Sequence, residues 1–245
     1  MSARLNQLKA LLLEVNDLGS AAAVLRWDQA TYMPPGGAEA RGRQMATLGR
    51  LAHEKFTDAA LGQLLDGLER ETHDLPYDSD EASLVRVTRR EYERAVQVPA
   101  AFVAEMSEHD ARSYQAWTEA RPANDFARMR PLLEQTLDLS RRLADFFPGY
   151  ESIADPLIDF SDYGMKTASV RALFAELRAR LVPLVRAITA QPPADDSCLH
   201  QHAPESAQLA FGLTVIRRYG YDFERGRQDK THHPFMTKFS LGDVR

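Results

Sequence analysis

The pair His53-Glu54 is the first candidate for chemistry, because zinc peptidases place a glutamate directly after one histidine ligand. In the H-E-x-x-H pattern a second histidine follows one helical turn later, so that both imidazoles reach one metal ion. The glutamate then acts as general base on the metal-bound water. Here the position four residues after His53 is Thr57, and no other His-Glu pair exists in the sequence. We therefore predict that His53 and Glu54 are surface residues of a helix.

A second group with metal-binding side chains is Cys198-x-His200-x-His202. In extended backbone these three side chains would point the same way, and thiolate and imidazole are the ligands that zinc prefers. Nothing nearby completes a site at the usual spacing. We therefore predict an exposed loop before the last helix and assign no metal ligand in this chain.

The last fifteen residues, 231–245, are the only part of the sequence typical of extended backbone. The segment HPF at 233–235 opens it, since proline lacks an N–H and does not continue a helix. Phe235 and Phe239 are apolar while Thr237 between them is polar, a weak strand pattern, and LGD at 241–243 predicts a turn. Only three residues lie from Asp243 onward. We expect the strand to lack a partner, and either to pair with another molecule or to be poorly ordered.

This stretch resembles the carboxypeptidase Taq family of metallocarboxypeptidases. Members carry an HPF motif, then a D-x-R-x-T motif shortly upstream of the zinc-binding H-E-x-x-H helix. Here HPF is intact at 233–235, while the second motif is present only as Asp243 and Arg245. WDQATYMPPGGAEAR at 27–41, DPLID at 155–159 and GYDFERGR at 220–227 also look like the family. Members are considerably longer, and the resemblance places the zinc helix in the part beyond these residues.

The resemblance implies a peptidase that removes C-terminal residues with a water activated by zinc or cobalt. It also implies a homodimer. In the family the two motifs line the substrate cleft, where an arginine can pair with a peptide carboxylate through a bidentate fork held in place by an aspartate. The substrate-binding candidates are therefore His233, Pro234, Phe235, Asp243 and Arg245. The other interpretation stays open: Pro234 and Phe235 anchor a strand, while Asp243 and Arg245 are polar turn residues.

The resemblance assigns no catalytic residue and no metal ligand to residues 1–245, so we predict no carboxypeptidase activity for this chain alone. Two further hypotheses remain. The chain could be a non-enzymatic helical protein that binds peptides or other partners. Alternatively, it is a subunit that assembles with a separately encoded catalytic half.

Helical spacing of apolar residues dominates the rest of the chain and predicts an all-α, multi-helix array with a small β element at the C-terminus. We expect residues 1–245 to form a single helical domain. The spacing predicts a first helix that stops at Gly19, a second that starts at Ser20, and an irregular segment over 150–164. Trp27 is expected to pack in the core, Asp28 to accept a hydrogen bond, and PPGG at 34–37 to form a rigid corner.

The composition limits the class of protein. The 245 residues carry 30 Lys and Arg against 35 Asp and Glu, for a net charge of −5, which disfavours nucleic-acid binding. The single cysteine excludes an internal disulfide. No apolar run approaches the roughly 18 residues of a membrane span, and the N-terminus is unlike a signal peptide. We therefore expect a cytoplasmic protein. The resemblance further implies that its partners are peptide C-termini and a second copy of itself.

Overall fold

The chain is a series of helices that ends in one small sheet. The computed structural model describes residues 2–245, and in these the fold is all-α, as predicted. The helices are α1 (Ala3–Thr31), α2 (Ala38–Phe56), α3 (Ala59–Thr72), α4 (Asp80–Ala95), α5 (Ala100–Ala120), α6 (Phe126–Asp145), α7 (Ala154–Asp159), α8 (Thr167–Thr189) and α9 (Glu205–Arg218). The strands are β1 (Lys238–Ser240) and β2 (Asp243–Val244).

The residues group into two compact units. The first consists of Met1–Arg142 together with Arg225–Arg245, and the second of Leu143–Glu224. The first unit thus includes both α1 and the C-terminal sheet. The expected single domain over 1–245 stays a prediction.

Helix α1 is continuous through the expected break at Gly19 and Ser20, so that prediction is wrong. Glycine ends a helix when it adopts a positive φ, and Gly19 does not. An interior glycine costs about 1 kcal/mol relative to alanine, which is a small cost within a 29-residue helix. The side chain of Ser2 accepts a hydrogen bond from Leu5 N–H and begins the helix.

The core of the first unit lies where α1, α3 and α4 meet. Leu8, Leu61 and Leu65 have no exposed surface, and Leu5, Leu68 and Val85 surround them. The Tyr92 side chain of α4 packs closely on α3 at Gly62, where an added Cβ would lie 2.7 Å from the Tyr92 hydroxyl. This core fixes the N-terminal half of α1, and the rest of that helix carries the candidate site.

The second unit contains α7, α8 and α9. The segment 150–164, expected to be irregular, contains the short helix α7, so that prediction is wrong in part. Its buried residue Asp155 accepts a hydrogen bond at Oδ1 from Thr167 N–H, 2.8 Å away, at the first residue of α8. A carboxylate at this position satisfies a backbone donor that α8 otherwise leaves unpaired.

The C-terminal segment forms a closed hairpin, so the expectation that it lacks a partner is wrong. Strand β1 pairs antiparallel with β2 across the turn at Leu241 and Gly242. Val244 also pairs on its other side, through a parallel bridge to Gly226. This bridge could not be predicted, because residues 225–227 have no strand pattern of their own.

Candidate functional site

Hydrogen bonds hold both the backbone and the side chain of Arg245 in place. Its N–H and carbonyl each bond Thr237 at 2.8 Å. Its guanidinium donates from Nε to Asp243 Oδ1 at 2.6 Å and from Nη2 to Asp243 Oδ2 at 3.0 Å. The side chain is 22% exposed. Among residues 2–245, its Nη1 has no hydrogen-bond partner. Asp243 therefore fixes one edge of the guanidinium and leaves donors for a ligand.

An aromatic surface lies beneath this guanidinium. The Arg245 Cζ is 4.6 Å from the centre of the Trp27 ring and 5.6 Å from the centre of the Phe239 ring. Arginine stacks favourably on aromatic rings because its planar cation is weakly hydrated and meets the negative face of the π-system. Trp27 lies in the last part of α1 and is partly buried against these charged groups, rather than within the apolar core as expected.

A second arginine contacts the same indole. Arg227 Cζ lies 5.6 Å from the centre of the Trp27 ring and 5.7 Å from that of Tyr32. Arg227 donates to Asp229 from Nε at 2.7 Å and from Nη2 at 2.6 Å. The Tyr32 hydroxyl donates to the same carboxylate and accepts from Arg227 Nη2 at 3.0 Å. Tyr32, Arg227 and Asp229 thus form one hydrogen-bonded triad.

The carboxylate of Asp229 is the buried centre of this triad, with only 6% of its side chain exposed. Burial acts to raise the pKa of Asp229. Hydrogen bonds from Arg227 and Tyr32 outweigh that effect, so the pKa lies below its ordinary value. The bond to Asp229 raises the pKa of Tyr32. The aspartate is therefore held charged and the tyrosine neutral over a wide pH range.

The corner that follows Trp27 is built as expected. Asp28 accepts a hydrogen bond from Arg41 Nη2 at 2.7 Å, and Arg41 also donates to the carbonyl of Leu25. The residues Pro35–Gly37 form a single 3-10 turn between α1 and α2. Because Arg41 lies on α2, it ties the start of that helix to the end of α1.

The HPF residues form a separate group. The His233 ring meets the edge of Trp117 at 6.2 Å between centroids and an interplanar angle of 87°. Phe235 is 44% exposed. Within residues 2–245, His233 shares no hydrogen bond or ring contact with Arg245. The structure thus brings Asp243 and Arg245 together but does not join them directly to His233.

The side chains considered for metal binding do not come together. His53 is partly buried rather than on the surface, with its Nε2 3.1 Å from the carbonyl of Val98. His200 is paired with Asp196 at 3.2 Å, and Cys198 is exposed. Residues 2–245 contain no group of three or more His, Cys, Asp or Glu side chains that would hold a metal ion. The zinc that the resemblance implies has no fitting ligand set among residues 2–245.

Sequence reasoning missed Tyr32, Arg227 and Asp229 as site residues. Tyr32 and Arg227 occur in the segments 27–41 and 220–227 that carry the resemblance, but nothing local gave them a role. Tyr32 and Asp229 are 197 residues apart, and contacts at that separation leave no trace in helical or strand periodicity. Only the spacing of opposite charges in Arg227-x-Asp229 could have indicated that these two side chains pair.

Comparison with known proteins places the chain among the metallopeptidases, through a match that covers residues 7–245. The chain belongs to the Carboxypeptidase Taq (M32) metallopeptidase family. This confirms the resemblance seen in the sequence.

Three relatives illustrate the similarity. Thermostable carboxypeptidase 1 of Thermus thermophilus is 36% identical over 238 residues, covering 93% of this chain and 47% of the relative. The crystal structure of the M32 carboxypeptidase from Deinococcus radiodurans R1 is 48% identical in sequence, with a TM-score of 0.78. The match covers 100% of this chain and 48% of the Deinococcus chain. The BsuCP crystal structure is 30% identical in sequence, with a TM-score of 0.93. The match covers 100% of this chain and 49% of the BsuCP chain.

This chain therefore spans about half the length of the relatives that it matches. Among the described residues, no helix combines the length and apolar character needed to cross a bilayer.

Proposed function

We propose that this chain is the N-terminal portion of a metal-dependent carboxypeptidase and that Arg245 receives the C-terminal carboxylate of a peptide. The observation that carries the proposal is the Asp243–Arg245 pair. Asp243 takes up Nε and one donor of Nη2, at 2.6 and 3.0 Å, while Nη1 stays available among residues 2–245. A guanidinium held at one edge presents the other edge to a planar anion as a fork.

The surroundings of Arg245 hold its guanidinium ready for an anionic ligand. Its backbone is fixed by two hydrogen bonds to Thr237, and its side chain lies on Trp27. A ligand would therefore meet a guanidinium that has already lost most of its freedom, which lowers the entropic cost of binding. The family resemblance assigns His233, Pro234 and Phe235 to the same groove, although within residues 2–245 the His233 ring meets Trp117 and makes no hydrogen bond or ring contact with Arg245.

We further propose that this chain alone binds peptides without cleaving them. Hydrolysis in this family requires a metal-activated water, and residues 2–245 offer no ligand set for zinc or cobalt. A cytoplasmic location and a homodimeric state remain part of the proposal.

Calorimetric titration tests the carboxylate assignment. The chain is titrated with an N-blocked dipeptide bearing a free C-terminal carboxylate and with its C-terminal amide. We expect tighter binding of the acid, and loss of that preference in Arg245→Gln. Arg130→Gln is the matched control, because Arg130 is an exposed arginine paired with Glu134 one helical turn away. Equal binding of acid and amide by the wild-type chain, or an unchanged preference in Arg245→Gln, would refute the assignment.

A second candidate function is a subunit that assembles with a separate catalytic half. The supporting observation is the apolar side of α8, where Leu173, Leu177, Leu181, Leu184 and Ile188 are between 45% and 61% exposed. These positions lie on one face of the helix, and an apolar face of this length is typical of an interface. Chelator-sensitive release of C-terminal residues, appearing only when a fragment equivalent to the second half of a relative is added, would establish this function.

A further inference from the structure

The ion pair with Asp243 does not by itself define the plane of the Arg245 guanidinium. Two hydrogen bonds along one edge act as a hinge, about which the group can still tilt. The Trp27 ring lies 4.6 Å from the guanidinium carbon and limits this tilt. A carboxylate fork requires both of its hydrogen bonds to lie near one plane, so the tilt decides whether the available edge can bind a carboxylate.

Trp27 is in turn held by two further side chains. Tyr32 meets it in an edge arrangement, with 5.7 Å between ring centroids and an interplanar angle of 64°. Arg227 lies 5.6 Å from the ring centre. Both residues bond the carboxylate of Asp229, which is nearly buried. Contacts therefore run from Asp229 through Arg227 and Tyr32 to Trp27, and from Trp27 to Arg245.

We propose that Trp27 is a positioning residue: its indole sets the plane of the Arg245 guanidinium, and the Tyr32–Arg227–Asp229 triad sets the indole. The purpose of this positioning, recognition of a carboxylate, rests on the function proposed above. The geometry explains why two arginines are placed beside one indole, each with its own aspartate. Asp243 balances the charge of the arginine that faces the ligand, and Asp229 that of the arginine that supports the ring.

The test follows the Nε–H proton of Arg245 by NMR on the full chain, with its signal assigned from its disappearance in Arg245→Lys. In the wild type this proton is bonded to Asp243 and lies near the indole, so we expect slow exchange and a ring-current shift. Trp27→Leu should speed its exchange several-fold and reduce the shift to the part that Phe239 causes. Trp27→Phe should restore part of the protection, because it keeps an aromatic face. Asp229→Asn should speed exchange although Trp27 is still present.

Peptide binding gives a second readout. Trp27→Leu should lower the preference for acid over amide by roughly 3- to 10-fold, the range expected for loss of a cation–π contact. Tyr77→Leu is the matched control, since it removes an aromatic ring that lies 3.7 Å from Arg86, outside this cluster. The control should leave both the Arg245 signal and the preference unchanged.

The outcomes separate this inference from the proposed function. A Trp27→Leu chain that melts earlier but keeps the wild-type exchange rate would show that Trp27 only packs, and would overturn the inference. If the wild-type chain shows no preference for the acid, the carboxylate assignment fails, while the exchange rates still decide whether Trp27 positions Arg245.

Discussion

The hydroxyl of Tyr32, at the end of α1, donates a hydrogen bond to the carboxylate of Asp229, which lies 197 residues later in the segment before the hairpin. This bond joins the N-terminal and C-terminal parts of one compact unit. It also places Arg227 beside Trp27, because the same carboxylate binds that arginine. The terminal hairpin is thereby tied to α1 through side chains as well as through its own pairing.

Substituting Asp229 should destabilise the chain. Asp229→Asn removes a charge that accepts hydrogen bonds from Arg227 and Tyr32, and leaves the arginine without its main partner. Loss of hydrogen bonds to a charged, nearly buried group should lower Tm by about 4–8 °C. Differential scanning calorimetry at pH 7 checks this. Asp74→Asn is the control, since that side chain is entirely exposed, and its Tm should not change. An equal Tm for the two variants would contradict the role given to Asp229.

The buried Asp155 should make stability depend on pH. Its interactions with Thr167, followed by the bond from Ser152, lower its pKa to about 2. Because the folded-state pKa is lowered, the stabilisation is complete above about pH 4, the ordinary range for aspartate, and is lost as the pH falls towards 2.

Asp155→Asn should therefore lower Tm by about 2–4 °C at pH 6, the shift expected for one capping interaction, with a smaller difference at pH 2.5. Thermal melts followed by circular dichroism check the prediction. Asp162→Asn, an exposed change in the same stretch, should have no effect at either pH. A difference that stays constant from pH 6 to pH 2.5 would show that the carboxylate charge is irrelevant.

Two glycine substitutions should act in opposite directions. Gly49→Ala in α2 meets nothing within 4 Å and should raise Tm by about 1–3 °C, because alanine loses less backbone entropy on folding. Gly62→Ala would place a Cβ 2.7 Å from the Tyr92 hydroxyl and should lower Tm. Tyr92→Phe removes that oxygen and should reduce the loss. If Gly62→Ala stabilises the chain as much as Gly49→Ala, the close packing of the Tyr92 side chain on α3 is incorrect.

The apolar face of α8 should drive self-association of the isolated chain. Leu177→Glu combined with Leu184→Glu puts two charges on that face, and should shift the species seen by light scattering towards the monomer. Ala172→Glu combined with Ala179→Glu adds the same charge on the opposite side of the helix and should leave the association unchanged. A wild-type chain that is monomeric at high concentration would contradict this prediction.

Much of the helical scaffold could be predicted, because helix starts and apolar faces are local properties. Asp58, for example, is a residue type that favours helix starts, and its Oδ1 accepts a hydrogen bond from Ala60 N–H at 2.8 Å at the start of α3. The turn at Leu241 and Gly242 was predicted from the same kind of signal. Gly19 shows the limit of such signals, since the packing of a long helix overrides a weak local break.

The candidate site was only half predictable. Asp243 and Arg245 are two residues apart in extended backbone at the end of the hairpin, so their side chains share a face and the ion pair followed from the motif. The side chains that support Arg245 could not be predicted from the sequence, because they meet only after the chain has folded. They are Trp27, Tyr32, Arg227 and Asp229. Trp27 was assigned to the core since a large apolar ring is usually buried, but here its face meets charged groups.

The crystal structure of this chain with an N-blocked dipeptide tests most directly whether Arg245 binds the C-terminal carboxylate. The account predicts that the peptide carboxylate lies within about 2.7–3.2 Å of Arg245 Nη1, with the Asp243 pair and the Trp27 contact intact. A peptide bound elsewhere on the chain, with no polar contact to the Arg245 guanidinium, would contradict it.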